Sequence, residues 1–239
     1  MKVLINLLKF IFITILTICL IVLGAITIAS STVLDKNYVI QKLEETDFYS
    51  GTYKLVESNF EKYIYQSGLD EDVLKSICTE DKVKNDINLM LSNIYDGTNK
   101  TIDTAEISTN LNTNIDKLGI KTKQNEKAIN EFVTHICNEY TDTLVHSKYE
   151  NQINNVYKKV INNLNKVYNA ILIVTVVDLI LILVINNKKV SKDLQDFGIA
   201  MMATSIFGIA GCQIVQAKVN IQGIKIFNDV FSNSLVTII

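Results

Sequence analysis

Residues 174–193 read V-T-V-V-D-L-I-L-I-L-V-I-N-N-K-K-V-S-K-D. A run of β-branched and aliphatic residues contains one acid, Asp178, and ends in a short polar turn with three lysines. A lysine-rich turn of eight residues, 186–193, separates this run from another, Phe197–Val215. Two apolar stretches of roughly 20 residues each are long enough to cross a hydrocarbon core as helices. Joined by so short a turn, they predict a helical hairpin. Lys188, Lys189 and Lys192 place the turn on the cytoplasmic side, because cytoplasmic loops carry an excess of lysine and arginine.

A third apolar run lies at the other end of the chain, F-I-F-I-T-I-L-T-I-C-L-I-V-L-G-A-I-T-I-A over 10–29, preceded by Lys2 and Lys9. Its length exceeds the 7–15 apolar residues typical of a cleaved leader, so a retained anchor is expected rather than cleavage after Ala29. The two lysines put the N-terminus inside. Residues 30–168 are then outside, although Lys158, Lys159 and Lys166 at the outer end of the second span run against the rule.

The remaining membrane question is 217–239. Ile224, Phe227, Phe231, Leu235 and Ile238 share one helical face, and Lys225, Asn228, Asp229, Ser232 and Asn233 lie largely off it. Such an amphipathic pattern suits either a helix in the interface or a fourth span with its polar face inward.

Between the first and second runs the chain changes character. Acids outnumber lysines over 30–168, and all ten tyrosines of the protein are here. Apolar residues recur at helical spacing in five sets: Tyr49–Ile64, Val83–Ile94, Ile107–Leu118, Ile129–Leu144 and Ile153–Tyr168. Thr79-Glu80-Asp81 is a cap with two first-turn acids. Breaks fall at Ser67-Gly68, Asp96-Gly97-Thr98-Asn99 and Leu118-Gly119. The expected fold is therefore all-α: an integral membrane protein with three or four transmembrane helices and an extracytoplasmic helical bundle inserted between the first two. The domains are an anchor (1–29), the bundle (30–168), a hairpin (169–216) and a C-terminal amphipathic or fourth membrane helix (217–239).

Composition narrows function. The chain of 239 residues is 48% hydrophobic with a net charge of −2 and a mean hydropathy of +0.22. It has no basic surplus for nucleic acid. All its basic residues are lysine, so no guanidinium fork is available for bidentate phosphate or carboxylate recognition. The cysteines fall singly, which excludes zinc-finger and thioredoxin spacings. Cys78 and Cys137 are the two expected outside, and both sit on apolar-leaning helices where unpaired thiols are natural. No nucleotide-binding, hydrolase or metalloprotease motif is present.

Three constellations stand out. Asp178 inside a span costs about 2.5–3.5 kcal/mol on insertion scales, so it needs a reason. The packing reading is a neutral acid hydrogen-bonded to Thr204 or Ser205 of the third span; the rival is a proton or cation path. Ala200, Thr204, Gly208 and Cys212 recur every fourth residue, with Ala203 and Gly211 beside them, a small-residue face that lets helices approach closely. Finally, His135, Glu139, Asp142 and His146 share one helical face and are weak candidate ligands for a divalent metal; a solvated polar face is the expected use, and no cofactor is expected. These features favour a non-enzymatic sensor, scaffold or accessory subunit of the cell membrane. Its partners are the bilayer and another membrane protein or a second copy met through the third span. The alternative is a small transport or channel component using Asp178.

Overall fold

The computed structural model describes residues 2–144, 147–186 and 189–218, and all regular structure among them is helical. In chain order the helices are α1 (Lys2–Ser31), α2 (Lys36–Glu44), α3 (Phe48–Ser67), α4 (Glu80–Asp96), α5 (Ala105–Lys117), α6 (Glu126–Leu144), α7 (Ser147–Ile185) and α8 (Val190–Lys218), with a short 3₁₀ turn at Glu71–Leu74. The chain divides into two compact units, one from residues 36–157 and one from residues 2–35 with 158–218. The C-terminal segment 219–239 lies outside the described residues.

The first unit is a water-style bundle. Its helices start and stop where local chemistry says they should. Thr79 caps α4 by accepting a hydrogen bond from the Lys82 backbone N–H at 3.2 Å, and Glu80 and Asp81 complement the helix dipole in the first turn. Gly68 ends α3 in a left-handed conformation (φ +68°) that lets its N–H reach the Ile64 carbonyl, and a side chain there would be strained. The apolar faces then meet: α3 packs on α4 and α6, α5 on α6 and the 3₁₀ turn, and α2 on α3 and α4. Val56, Phe60, Val83, Ile107, Leu111, Ile115, Ile136 and Tyr140 are among the side chains that form one continuous buried core.

Four of the five expected sets form that core, although Leu118 at the end of the third is exposed. Among the described residues the fifth reaches it only through Tyr157, whose ring lies 4.9 Å from that of Tyr95. Val160 is exposed and Tyr157, Leu164 and Tyr168 are only partly covered, while the side chain of Ile153 lies outside those described. The bundle buries its apolar faces with α2 and the 3₁₀ turn instead, two short elements with too few turns to declare a periodicity.

The second unit contains the three helices long and apolar enough to cross a membrane, over Val3–Ser31, Asn155–Ile185 and Val190–Ile214. Here α8 packs along α1. Leu16 of α1, Ile182 of α7 and Ala200 of α8 form a small buried layer, with Phe12, Ile13, Leu20 and Leu179 around it. Most of the remaining aliphatic surface points outward; Ile173, Val184, Ile206, Phe207 and Ile209 are all exposed.

Candidate functional site

The three long helices expose many aliphatic side chains and bury polar ones alongside a small apolar layer. Among the described side chains of α7 the buried ones are Thr175, Asp178 and Ile182, with Asn186 just past its end, spaced 3-4-4 and so on one face. On α1 they include Leu16, Thr17 and Cys19, and on α8 Asp196 and Ala200.

At one end of this unit the polar groups satisfy each other. Asp196 is only 2% exposed, yet Lys9 Nζ lies 2.7 Å from its Oδ1. Asn186 donates through Nδ2 to Asp196 Oδ2 at 2.7 Å and to Asp193 Oδ1 at 2.8 Å. A charge-assisted network of this kind ties the start of α8 to both α1 and α7. In sequence Lys9 and Asn186 looked like a cytoplasmic flank and the start of a loop. What identifies Lys9 is a partner nearly 190 residues away, of which local pattern carries no trace, while Asn186 meets acids only 7 and 10 positions on; Thr17 and Thr204, the next contact along α1 and α8, are 187 positions apart.

One helical turn beyond the Leu16–Ile182–Ala200 layer the situation differs. Asp178 is 3% exposed, and its Oδ2 has no hydrogen-bond partner among the described residues. The expected bond to Thr204 or Ser205 is not formed. Thr204 Oγ1 donates to the Ala200 carbonyl at 2.8 Å and Ser205 Oγ to the Met201 carbonyl at 3.0 Å. A hydroxyl on a helix can always reach the carbonyl one turn back, so that local bond competes with any interhelical one.

The small-residue face of α8 is divided. Ala200 is buried and Thr204 half-buried, and Thr204 Oγ1 comes within 3.5 Å of the Thr17 carbonyl of α1. Gly208 is half-covered, whereas Gly211 and Cys212 are exposed. A side chain added at Gly208 or Gly211 would meet nothing within 4 Å. Among the described residues this face is met by α1 and by Ile182 of α7, and only over its first half.

In the bundle, His135 and Asp142 are exposed, Glu139 accepts a hydrogen bond from Tyr63 Oη at 3.0 Å, and His146 lies outside the described residues. Among those described, no three His, Cys, Asp or Glu side chains are grouped to hold a metal ion. Cys78 and Cys137 are free thiols, and burial pushes the Cys78 thiol up to about 11.

The bundle also holds a cluster that periodicity hid. Tyr140, fully buried, donates to Asp86 Oδ2 at 2.6 Å. Lys82 Nζ lies 3.1 Å from the same oxygen and donates to the Asp103 carbonyl at 2.8 Å. Burial, then the bond to Asp86, raises the Tyr140 phenol well above its ordinary range. The available signal was the spacing itself: Asp86 follows Val83 by three and sits beside Ile87 on the apolar side of α4. A cleft of about 670 Å³ beside Tyr53 and Phe60 carries Glu57, Glu61, Glu71 and Asp72 on its walls.

No family model matches this chain, and no curated protein or solved structure shows significant similarity to it.

Proposed function

We propose that this chain is a multi-pass protein of the cell membrane that acts through helix contacts, as a sensor, scaffold or accessory subunit, and not as an enzyme. Residues 30–168 are extracytoplasmic, and the N-terminus and the 186–193 loop are cytoplasmic. The observation that carries the membrane reading is the aliphatic exterior of α1, α7 and α8 around an interior that holds Thr17, Thr175, Asp178 and Asp196 as well as apolar groups. Water would reject that arrangement, and lipid favours it. Orientation rests on the lysines of the first flank and the loop.

The non-enzymatic reading is supported by how the reactive groups are used. Tyr140, Asp86 and Lys82 are committed to one another and to a backbone carbonyl, and the buried Cys78 thiol is held far from its nucleophilic form. A membrane partner, or a second copy, is expected to meet the open half of α8 at Gly208, Gly211 and Cys212.

Cysteine labelling of intact cells tests the layout. A cysteine placed at Asp96 should react with an impermeant reagent, and one placed at Asn187 should react only after the membrane is opened. The opposite pattern would overturn the orientation and the ectodomain with it.

A further inference from the structure

The carboxyl of Asp178 is enclosed, and its Oδ2 is without a partner, while the buried hydroxyl, amide and ammonium donors of its unit are spent, leaving only the weak S–H donor of the buried Cys19. Thr175 on the same face gives its proton to the Ile171 carbonyl at 2.8 Å. Thr17 on α1 gives its own to Ile13 at 2.8 Å, and Thr204 on α8 to Ala200 at 2.8 Å. Asn186 spends its amide on Asp193 and Asp196, and Lys9 is taken by Asp196. A hydroxyl that has donated retains only lone pairs. Those hydroxyls therefore turn lone pairs rather than protons to the interior of the unit, and together with an unpaired acid that suits a positive charge rather than an anion.

The other charges of the packed elements do not supply it. Lys9 on α1 and Asp193 and Asp196 on α8 gather at the Asn186 end, roughly 12 Å along α7 from Asp178 at 1.5 Å per residue. The Leu16–Ile182–Ala200 layer lies in between. A partner helix cannot supply the charge without prising the unit open, since the side chain is already covered. What fits is small.

We infer that Asp178 is a binding site for a monovalent cation, a proton or a sodium ion, held inside the three-helix unit and closed off from the Lys9–Asp196 network by an apolar layer. The inference rests on the membrane placement of α1, α7 and α8, but not on which side is outside. It goes beyond a contact-based role by giving the membrane unit a ligand to which those contacts can respond.

The test uses the full chain in detergent and a hydrophobic carbodiimide, which modifies protonated carboxyls in apolar surroundings. Mass spectrometry should locate an adduct on Asp178 that Asp178→Asn lacks. Sodium at about ten times its dissociation constant should cut labelling about tenfold at fixed pH if sodium is the ligand, by mass action. Protection by raised pH alone identifies the proton. In the sodium case, sodium should also raise the wild-type melting temperature and leave that of Asp178→Asn unmoved. An adduct that neither sodium nor pH suppresses would mean a permanently neutral buried acid and would overturn the site. So would the absence of any adduct at acid and neutral pH, with wild-type and Asn forms melting alike in sodium, in potassium and across pH. Cysteine labelling that reverses the orientation while Asp178 still titrates would sink the topology and leave the site standing.

Discussion

The bundle and the three-helix unit both bury acids, and among the described residues only the three-helix unit leaves one with an unpartnered oxygen. In the bundle Asp86 is bonded to Tyr140 and Lys82. In the span unit Asp196 is paired with Lys9, but Asp178 has an oxygen without any partner. The exteriors are opposite too: Glu131 and Thr134 are exposed on α6, whereas Ile206 and Phe207 are exposed on α8. In water the hydrophobic effect decides which face is hidden. Between helices in lipid it has nothing to select, so close packing and polar bonds decide. Exposure of an aliphatic side chain thus means a surface defect in one half of this molecule and a solvent match in the other.

The largest expected effect tests the satisfied acid. Asp86→Ala leaves the Lys82 ammonium and the Tyr140 hydroxyl without their acceptor, and breaking a buried pair from one side costs about 3–5 kcal/mol. Those side chains retain a little solvent contact, at 12% for Lys82 and 11% for Asp86, so the lower end is expected. Chemical denaturation of the detergent-solubilised protein, followed by a bundle probe, measures it. A loss below about 1 kcal/mol, the worth of an exposed pair, would mean that the cluster is not the bundle's polar core.

Next comes the contrast of exteriors. Ile206 is 67% exposed, and Ile206→Lys should cost about 2.5–3.5 kcal/mol of membrane insertion. Thr134→Lys on exposed α6 should stay within about 0.5 kcal/mol of wild type. Glycosylation-reporter insertion assays for the first and melting curves for the second give both numbers. Equal tolerance at the two sites would end the membrane reading of α8.

Alkali supplies a third test. Burial and, secondarily, Glu44 push the Tyr49 phenol up to about 12. The hydrogen bond to Glu57, then burial, does the same for Tyr53, and Tyr140 is raised further in the same direction. Raised folded-state values mean that the folded chain holds these protons more tightly than the unfolded one. The stabilisation is complete below the ordinary phenol value of about 10 and is lost as pH climbs above it. Bundle stability should therefore fall at high pH, and Tyr140→Phe should reduce that fall. A stability flat through pH 12 would contradict the buried phenols.

The smallest effect is expected on the histidine face. Replacing His135 and His146 together by alanine should leave the metal content of the purified protein and its melting temperature unchanged, within about 0.5 kcal/mol for a surface change. Stoichiometric metal that vanishes in the double variant would reverse that expectation.

Much of the architecture could be read from sequence because it is local. Apolar runs declared the three long helices, and the spacing of Val83, Ile87 and Met90 or Ile129, Ile136 and Tyr140 declared the bundle faces. The Ile153–Tyr168 set misled because helical spacing signals an apolar stripe but not what covers it. The polar sites were the hard part. Depth alone put Thr204 opposite Asp178, but the hydroxyl's own i−4 carbonyl is always closer at hand. Asp86 and Tyr140 each look like ordinary members of a helix, and only the fold brings them together across 54 positions.

The Lys9–Asp196 pair has a consequence in time. A ribosome adding roughly 5–20 residues per second needs on the order of ten to forty seconds to travel from Lys9 to Asp196. In the membrane reading proposed above, α1 spends that interval with its ammonium facing no carboxylate, held by its apolar length alone. When α8 arrives, its acid meets a partner already in place, so the last of the described long helices is fastened by the first.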